Sequence, residues 1–210
     1  LLLGYFRAYA QPDLSRSLPP LPSGYWLELE TVTTHSGGVL DGMTTYRLHV
    51  NCLNELDYVS SCSGDDANPL ILASTANPAW FNSPYATGWN ASGINAAFLS
   101  FFPELAYDSF LTLGPEDASV PSGEHPSTIW GNIDASLEFD QDGDGQSVVV
   151  NDSQGGAWYT AFPGMEAAAT HSAFAGDDLR VLVAQLTTAG DVSGQIQVQI
   201  FQNGFQAMEF

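Results

Sequence analysis

The feature that most constrains the fold is a two-residue alternation of apolar and polar side chains, in segments separated by turn residues. The clearest segment is Gly194 to Phe201, where Ile196, Val198 and Ile200 alternate with glutamines. Thr44 to Val50 alternates in the same way. Because successive side chains of a strand point to opposite faces of a sheet, this period predicts half-buried β-strands.

The rest of the chain favours the same fold class. Further strands are predicted at residues 25–32, 70–74, 110–113, 135–139, 146–150, 158–161, 179–187 and 205–210, and short helices at 94–102 and 165–174. Glycine, aspartate, asparagine and proline separate these segments. We predict an all-β fold, a β-sandwich or jelly-roll with long loops and one or two short helices. It occupies residues 24–210 and is preceded by an extended N-terminal strand.

Composition excludes several functions. The 210 residues include 24 acidic residues, four arginines and no lysine, which gives a net charge of −20. This charge argues against nucleic-acid partners. No apolar run is long enough to span a bilayer. Without lysine the chain has neither a P-loop nor Schiff-base chemistry. With hydrophobic residues at 44%, the chain can bury a core.

An acidic loop predicts a calcium site. Asp140, Asp142 and Asp144 occupy alternate positions and Gly145 follows them, as in the first half of an EF-hand loop. Few of these carboxylates can pair with a basic side chain, so a cation from solution is their natural counterion. A solvated acidic turn is the alternative.

The second half of this loop departs from the EF-hand pattern. Asn151 stands where a bidentate glutamate is expected, and Val148 to Val150 favours a strand over a helix. We therefore expect a Ca²⁺ clip between two strands, with Asp152 as an additional ligand. Such a site would stiffen a loop and need not act as a calcium sensor.

Cys52 and Cys62 flank an acidic, turn-prone segment. Two strands joined by that segment could bring the sulfurs together, so we expect a disulfide and an extracellular setting. A free, buried pair is the alternative.

Catalytic patterns are weak, and we expect no enzymatic activity. The histidines lack metal-ligand spacing, and no Gly-x-Ser-x-Gly elbow occurs. So many acidic residues always offer a pair of carboxylates, so the presence of such a pair is no evidence for glycosidase activity.

Two further groups bear on surface recognition. Trp80 and Trp89 lie in a predicted loop, where they either stack on sugar rings of a polysaccharide or close the open end of the sandwich. Asn90 and Asn151 begin N-x-Ser sequons and are candidate glycosylation sites.

The first 23 residues suggest the most specific mechanism. An apolar segment, residues 1–10, precedes a proline-rich connector. The predicted assembly strand contains Leu1, Leu2, Leu3, Tyr5, Phe6 and Tyr9. It can add to the sheet of a neighbouring molecule, fold back onto its own sheet, or link to an upstream domain. Addition to a neighbour is head-to-tail and propagates into a filament of identical subunits.

Residues 44–203 resemble a module of secreted, surface-exposed proteins of environmental bacteria. The resemblance lies in Thr45–Leu48, Gly64–Asp66, Asn68–Leu70, Ser92–Asn95, Pro103–Leu105, Tyr107–Ser109, Gly176–Leu182, Gln185–Thr188, Gly190 and Gly194–Gln195. It implies export and a structural or adhesive role. The combined expectation is an extracellular, pilus-like fibril subunit on the cell surface. The alternatives are a monomeric, secreted carbohydrate-binding or adhesion module and a domain of a larger secreted enzyme.

Overall fold

The computed structural model describes residues 2–7, as a backbone strand, and residues 24–132, 134–140 and 145–206. The strands in these ranges are β1 Leu2–Arg7, β2 Trp26–Thr34, β3 Thr44–Asn51, β4 Tyr58–Gly64, β5 Leu70–Ser74, β6 Phe110–Leu111, β7 Ser127–Trp130, β8 Val148–Val150, β9 Gly156–Tyr159, β10 Arg180–Thr188 and β11 Val192–Phe201. The α-helix α1 spans Ala135–Phe139.

Short 3₁₀ turns complete the regular structure of the described ranges. They lie at Gly38–Leu40, Ala91–Gly93, Ala96–Phe98, Pro103–Tyr107, Ser122–Glu124, Met165–Ala167 and Gln202–Gly204.

Two antiparallel sheets pack face to face, which confirms the predicted all-β sandwich. The smaller sheet has the strand order β2-β3-β10-β6. The larger contains β7, β9, β4, β11, β5 and β8, with β1 added to β11. Leu48 of β3, Val183 of β10, Ile196 of β11 and Trp158 of β9 belong to one buried core. Burial of this apolar surface is the main force holding the layers together.

At two positions in the larger sheet, a pair of strands joined by a short loop takes the place of one continuous strand. We call each such pair a row and the loop that joins its strands an excursion. β4 and β5 pair with successive parts of β11, and Gly64 at the end of β4 lies against the backbone of Leu70 in β5. β9 pairs with β4 and β8 pairs with β5, so β9 and β8 form a second row beside the first. The excursions, residues 65–69 and 151–155, lie side by side, because Gly155 lies close to the carbonyl of Gly64.

Some predicted elements differ from the observed ones. Residues 135–139, predicted as a strand, form α1, because the Asp134 carboxylate accepts from the Ser136 backbone N–H and caps a helical turn. Phe205 and Gln206 are not in a strand, and the rest of the predicted 205–210 strand lies outside the described residues. Within the described ranges, no helix is long and apolar enough to cross a bilayer.

Candidate functional site

One edge of β11 is covered by β1. Ser193 to Gln195 pair with β5 on one side and with β1 on the other, and Gln197 and Val198 pair likewise with β4 and β1. Because a strand has only two edges, β4 and β5 share one edge and β1 occupies the opposite one. The six residues of β1 therefore cover backbone that would otherwise be an open sheet edge.

The ends of the N-terminal segment lie at opposite ends of the sandwich. Arg7 is paired with Ser193, at the start of β11. Tyr25, which precedes β2, lies beside Asp57, and Asp57 accepts a hydrogen bond from the backbone of Asn203, just past the end of β11. The length of β11 between these ends is about 27 Å. β1 thus pairs with its own chain here, and Arg7 and Tyr25 lie at opposite ends of the domain.

The acidic loop is closed by a backbone stem. The N–H of Gln146 donates to the carbonyl of Glu138 over 2.8 Å, and the carbonyl of Gly145 accepts from Ala79 and Trp80. Asp140 is half-buried at the start of the loop and its N–H donates to Ser136. The predicted ligands Asp142 and Asp144 lie outside the described residues.

The predicted additional ligand, Asp152, is placed elsewhere. β8 separates it from Gly145, and seven residues of largely extended chain span about 23 Å. Its Oδ1 accepts from the N–H groups of Gln154 and Gly155, and its Oδ2 accepts from the Asn132 side chain. These bonds lower the pKa of Asp152. Asp152 thus closes its own turn, and its part in a calcium site stays a prediction.

Two buried polar residues beside the loop stem were not singled out from the sequence. Asn82 is 3% exposed, and neither its Oδ1 nor its Nδ2 has a hydrogen-bond partner in the described part of the chain. Its Oδ1 lies directly against Gly145. Asp108 is 1% exposed, and its Oδ1 accepts from the Ser83 N–H over 2.5 Å.

The environment of Asp108 favours its protonated form. Burial, the largest cause, and the nearby charge of Asp140 together raise the pKa of Asp108 to about 8. Hydrogen bonds from the backbone of Ser83 and Ser109 oppose this shift and do not cancel it. Among the described residues, no group of three histidine, cysteine, aspartate or glutamate side chains is arranged to hold a metal ion.

The predicted disulfide is wrong. Cys52 follows β3 in the smaller sheet and Cys62 lies within β4 of the larger one, so the two strands diverge into opposite layers about 10 Å apart. Both cysteines are free and buried. Burial raises the pKa of Cys52 to about 12, with a further contribution from Asp57, and raises that of Cys62 well above its usual value.

Neither predicted sugar-stacking tryptophan lies on an open face. Trp80 is 1% exposed and packs against Phe139, so stacking by Trp80 is wrong. Trp89 is partly buried against the core. Both side chains therefore take part in the packing of the core.

Other aromatic residues of the same region are exposed. Tyr85 is 44% exposed and stacks on Phe102 with ring centroids 3.6 Å apart. Phe101 is 74% exposed and Phe98 lies nearby in sequence and is also exposed. We call Tyr85, Phe98, Phe101 and Phe102 the aromatic face. Phe98, Phe101 and Phe102 were not predicted as a surface, because residues 94–102 were predicted as a short helix.

The two sequons differ in access. The side-chain amide of Asn90 donates to the carbonyl of Pro126 over 3.2 Å, and its Oδ1 accepts from the Ser92 N–H. A glycan on Asn90 would replace one of the two hydrogens of the nitrogen that donates to Pro126. Asn151 is exposed at the end of β8. The geometry favours Asn151 as the candidate acceptor.

Comparison with protein-family models, with curated proteins and with solved structures found no match.

Proposed function

We propose that this protein is an extracellular structural subunit that assembles head-to-tail by donating β1 to β11 of a neighbouring subunit. The observation that carries the proposal is the position of β1 as the cover of an otherwise open edge of β11. A strand that adds along such an edge can do so within one chain or between chains, because the backbone pairing is the same in both. The intramolecular pairing then corresponds to the closed monomer, and exchange gives the polymer.

The length and composition of the connector between β1 and β2 favour exchange of β1 between subunits. The chain between Arg7 and Tyr25 can reach about 60 Å when extended, roughly twice the distance it must cross to close on its own domain. Leu18 to Pro22 contains three prolines, which favour an extended and stiff backbone. A stiff connector that starts at one end of the domain reaches outward more easily than it doubles back. Each exchanged contact is heterologous, so it repeats along a filament.

Paired cysteines test the proposal directly. Tyr5 and Gln195 are opposite each other in the β1–β11 register, which places their Cα atoms within disulfide range. We expect the Tyr5→Cys, Gln195→Cys double variant to give a ladder of covalent oligomers after oxidation, on a non-reducing gel. A monomer with an internal disulfide, or no bond at all, would overturn intermolecular exchange.

Two controls accompany this experiment. Tyr5→Cys with Ser193→Cys shifts the pairing by two residues and should cross-link poorly. The chain with only its native cysteines should give no ladder, because both thiols are buried. Deletion of residues 1–23 should leave monomers in size-exclusion chromatography, and negative-stain microscopy should show filaments only with the full chain.

Calcium is part of this proposal. Asp140, with Asp142 and Asp144, binds Ca²⁺ in the acidic loop and stiffens the connection between α1 and β8. Support comes from the lysine-free, acidic composition and from the closed stem at Glu138 and Gln146. The extracellular, cell-surface location rests on the same composition and on the calcium that such a medium supplies.

A monomeric carbohydrate-binding module is the second candidate, and the aromatic face favours it. Exposed aromatic rings on a rigid loop can stack on sugar rings. Phe101→Ala and Tyr85→Ala should then abolish retention on immobilised polysaccharides, whereas Trp89→Ala should leave it unchanged. Equal retention of all three variants would exclude this face as the binding site.

A further inference from the structure

β7 lies at one margin of the larger sheet, where β9 is the one described strand that pairs with it. The N–H of Gly131 donates to the carbonyl of Gly155, and these two residues continue the β7–β9 register. Hydrogen-bonded and non-hydrogen-bonded pairs alternate along an antiparallel ladder, so the odd-numbered residues of β7 also bond to β9. The backbone N–H and C=O groups of Thr128 and Trp130 therefore point away from β9. We call these four groups the β7 edge.

The β7 edge is open in the described part of the chain. Neither Thr128 nor Trp130 donates or accepts a main-chain hydrogen bond there. The preceding outward carbonyl, that of Pro126, accepts from the Asn90 side chain over 3.2 Å, so the opening is confined to the four groups of the β7 edge. A row of unpaired backbone groups is a template for another strand.

Three other strands at sheet margins are protected. β2 carries Glu28 and Glu30, and its register with β3 is irregular. β6 is only two residues long. β8 begins beside α1, where the N–H of Gln146 donates to the carbonyl of Glu138. Charges, prolines, bulges and short length keep edges from pairing. β7 has four residues, with neither a charge nor a proline and with a regular register.

Electrostatics favours a second copy of this chain as the partner of the β7 edge. Residues paired across strands share a face, and the solvent-facing residues of β4, β9 and β7 carry no charge: they are Ser61, Ser63, Ala157, Tyr159, Ser127 and Ile129. The whole chain has a net charge of −20, so most contacts between two copies bring carboxylates together. This uncharged surface avoids that repulsion. Ile129, at 65% exposure, is its most exposed apolar side chain.

The β7 edge is self-complementary about a two-fold axis through Ile129. In an antiparallel pair of β7 strands with this axis, Thr128 of each copy faces Trp130 of the other, and all four groups of each edge find partners. An axis through Thr128 would instead set Trp130 against Pro126, which has no N–H and whose carbonyl is already bonded to Asn90. The axis through Ile129 therefore gives more hydrogen bonds.

We propose that two copies of this chain pair through the β7 edge in an isologous contact centred on Ile129. The larger sheets of the two copies become one continuous sheet, and the exposed Ile129 side chains bury each other. β4 and β9 separate β7 from β11, the strand that β1 covers, so the contact goes beyond strand exchange and does not depend on it. Where the proposed filament forms, the same contact joins two filaments side by side.

Single added cysteines in the full chain test the inference. The two copies of residue 129 face each other as a non-hydrogen-bonded pair with Cα atoms about 4.5 Å apart, so Ile129→Cys brings two thiols within disulfide distance. Ser127→Cys is the matched control, exposed on the same strand and the same face. Residue 127 lies opposite residue 131 in this register, which separates the two copies of residue 127 by about 13 Å along the strands.

The readout is covalent dimer on a non-reducing denaturing gel. Both variants are incubated at equal concentration in a glutathione buffer with high salt, which screens the net charge. We expect Ile129→Cys to dimerise at least about tenfold faster than Ser127→Cys, because paired thiols have a high effective concentration. The chain with only its native cysteines should give no dimer, because both are buried. Equal rates in the two variants, or no dimer from Ile129→Cys, would overturn the inference.

This result is separate from the test of strand exchange. One added thiol per chain gives no covalent species above a dimer, whereas the Tyr5→Cys, Gln195→Cys variant is expected to give a ladder. Either experiment can therefore fail while the other succeeds.

Thr128→Pro in the Ile129→Cys background tests the backbone pairing itself. Proline at position 128 removes an outward N–H and no bond to β9, a place where edge strands accept proline. Circular dichroism and the melting temperature check that this variant folds, and we expect its dimerisation rate to fall to that of Ser127→Cys. A folded variant that dimerises at an undiminished rate would contradict pairing through the β7 edge. If the variant does not fold, the comparison of Ile129→Cys with Ser127→Cys still decides, because both positions are exposed.

Discussion

The phenolic hydroxyl of Tyr25 donates a hydrogen bond of 3.1 Å to the carboxylate of Asp57, a side chain with no exposed surface. The same carboxylate accepts from the backbone N–H groups of Leu53 and Asn54 in the β3–β4 loop, and from that of Asn203 after β11. One side chain thus ties the start of the sandwich domain to both sheets, at the point where the connector enters. The start of the domain at Tyr25 is therefore fixed, whether β1 covers β11 of its own chain or β11 of a neighbouring subunit.

The first prediction follows from this junction. Asp57→Ala leaves several buried N–H groups without an acceptor, so we expect a loss of about 3–5 kcal/mol in the free energy of unfolding. Asp66→Ala, at an exposed position, should change it by no more than about 0.5 kcal/mol. Urea unfolding followed by tryptophan fluorescence measures both. A loss below about 1 kcal/mol for Asp57→Ala would show that the junction contributes little.

The second prediction concerns the two thiols. Because Cys52 and Cys62 are buried and their pKa values are raised, neither should react with a thiol reagent at neutral pH in the folded protein. Both should react after unfolding in urea without reductant. Recovery of no free thiol under these conditions would indicate a disulfide and contradict the structure.

The sequence predicted strands best where one face is buried and the other is solvated. β3 and β11 alternate clearly and were predicted almost to their ends. β4 was missed because it lies between two other rows of the larger sheet. Its serines and glycine break the apolar pattern, although most of the strand is buried.

The candidate site was predictable only in part. A local pattern locates Asp140 because the spacing of ligands in a loop is written in consecutive residues. Asn82 and Asp108 come from other segments, and only the packing of segment 79–83 against Gly145 and Asp108 brings them near. The disulfide between Cys52 and Cys62 was wrongly predicted for the same reason, because a short loop between two strands does not reveal that the strands enter different sheets.

The third prediction concerns acid stability and His171. His171 is buried, and its Nδ1 accepts from the Ala173 N–H over 3.2 Å. Burial lowers the pKa of His171, and Glu124 opposes this only in part. A histidine held neutral stabilises the fold fully above its unfolded pKa of about 6.5, and this contribution is lost as the pH falls through the lower folded value.

His171→Asn isolates this effect. Asparagine keeps an oxygen that can accept from Ala173 but does not titrate. We expect the decline of unfolding free energy between pH 7 and 5 to be shallower than in the wild type, by at most about 1.4 kcal/mol per pH unit. Urea unfolding at a series of pH values measures the slope. An identical slope in both proteins would exclude His171 as a contributor.

The last prediction tests the interrupted row formed by β4 and β5. A Cβ on Gly64 would overlap the backbone nitrogen of Leu70, which cannot move without disturbing the pairing of β5 with β11 and β8. We expect Gly64→Ala to lower the free energy of unfolding by about 1–3 kcal/mol. Gly123→Ala is the matched control, because nothing lies within 4 Å of its added Cβ and its φ is not positive. This control should be neutral or slightly stabilising, since alanine restricts the unfolded chain. Equal stabilities of the two variants would mean that residues 64 and 70 do not meet, and that β4 and β5 do not form one row. The edge that β1 covers would then have to be drawn again, because its assignment depends on β4 and β5 sharing the opposite side of β11.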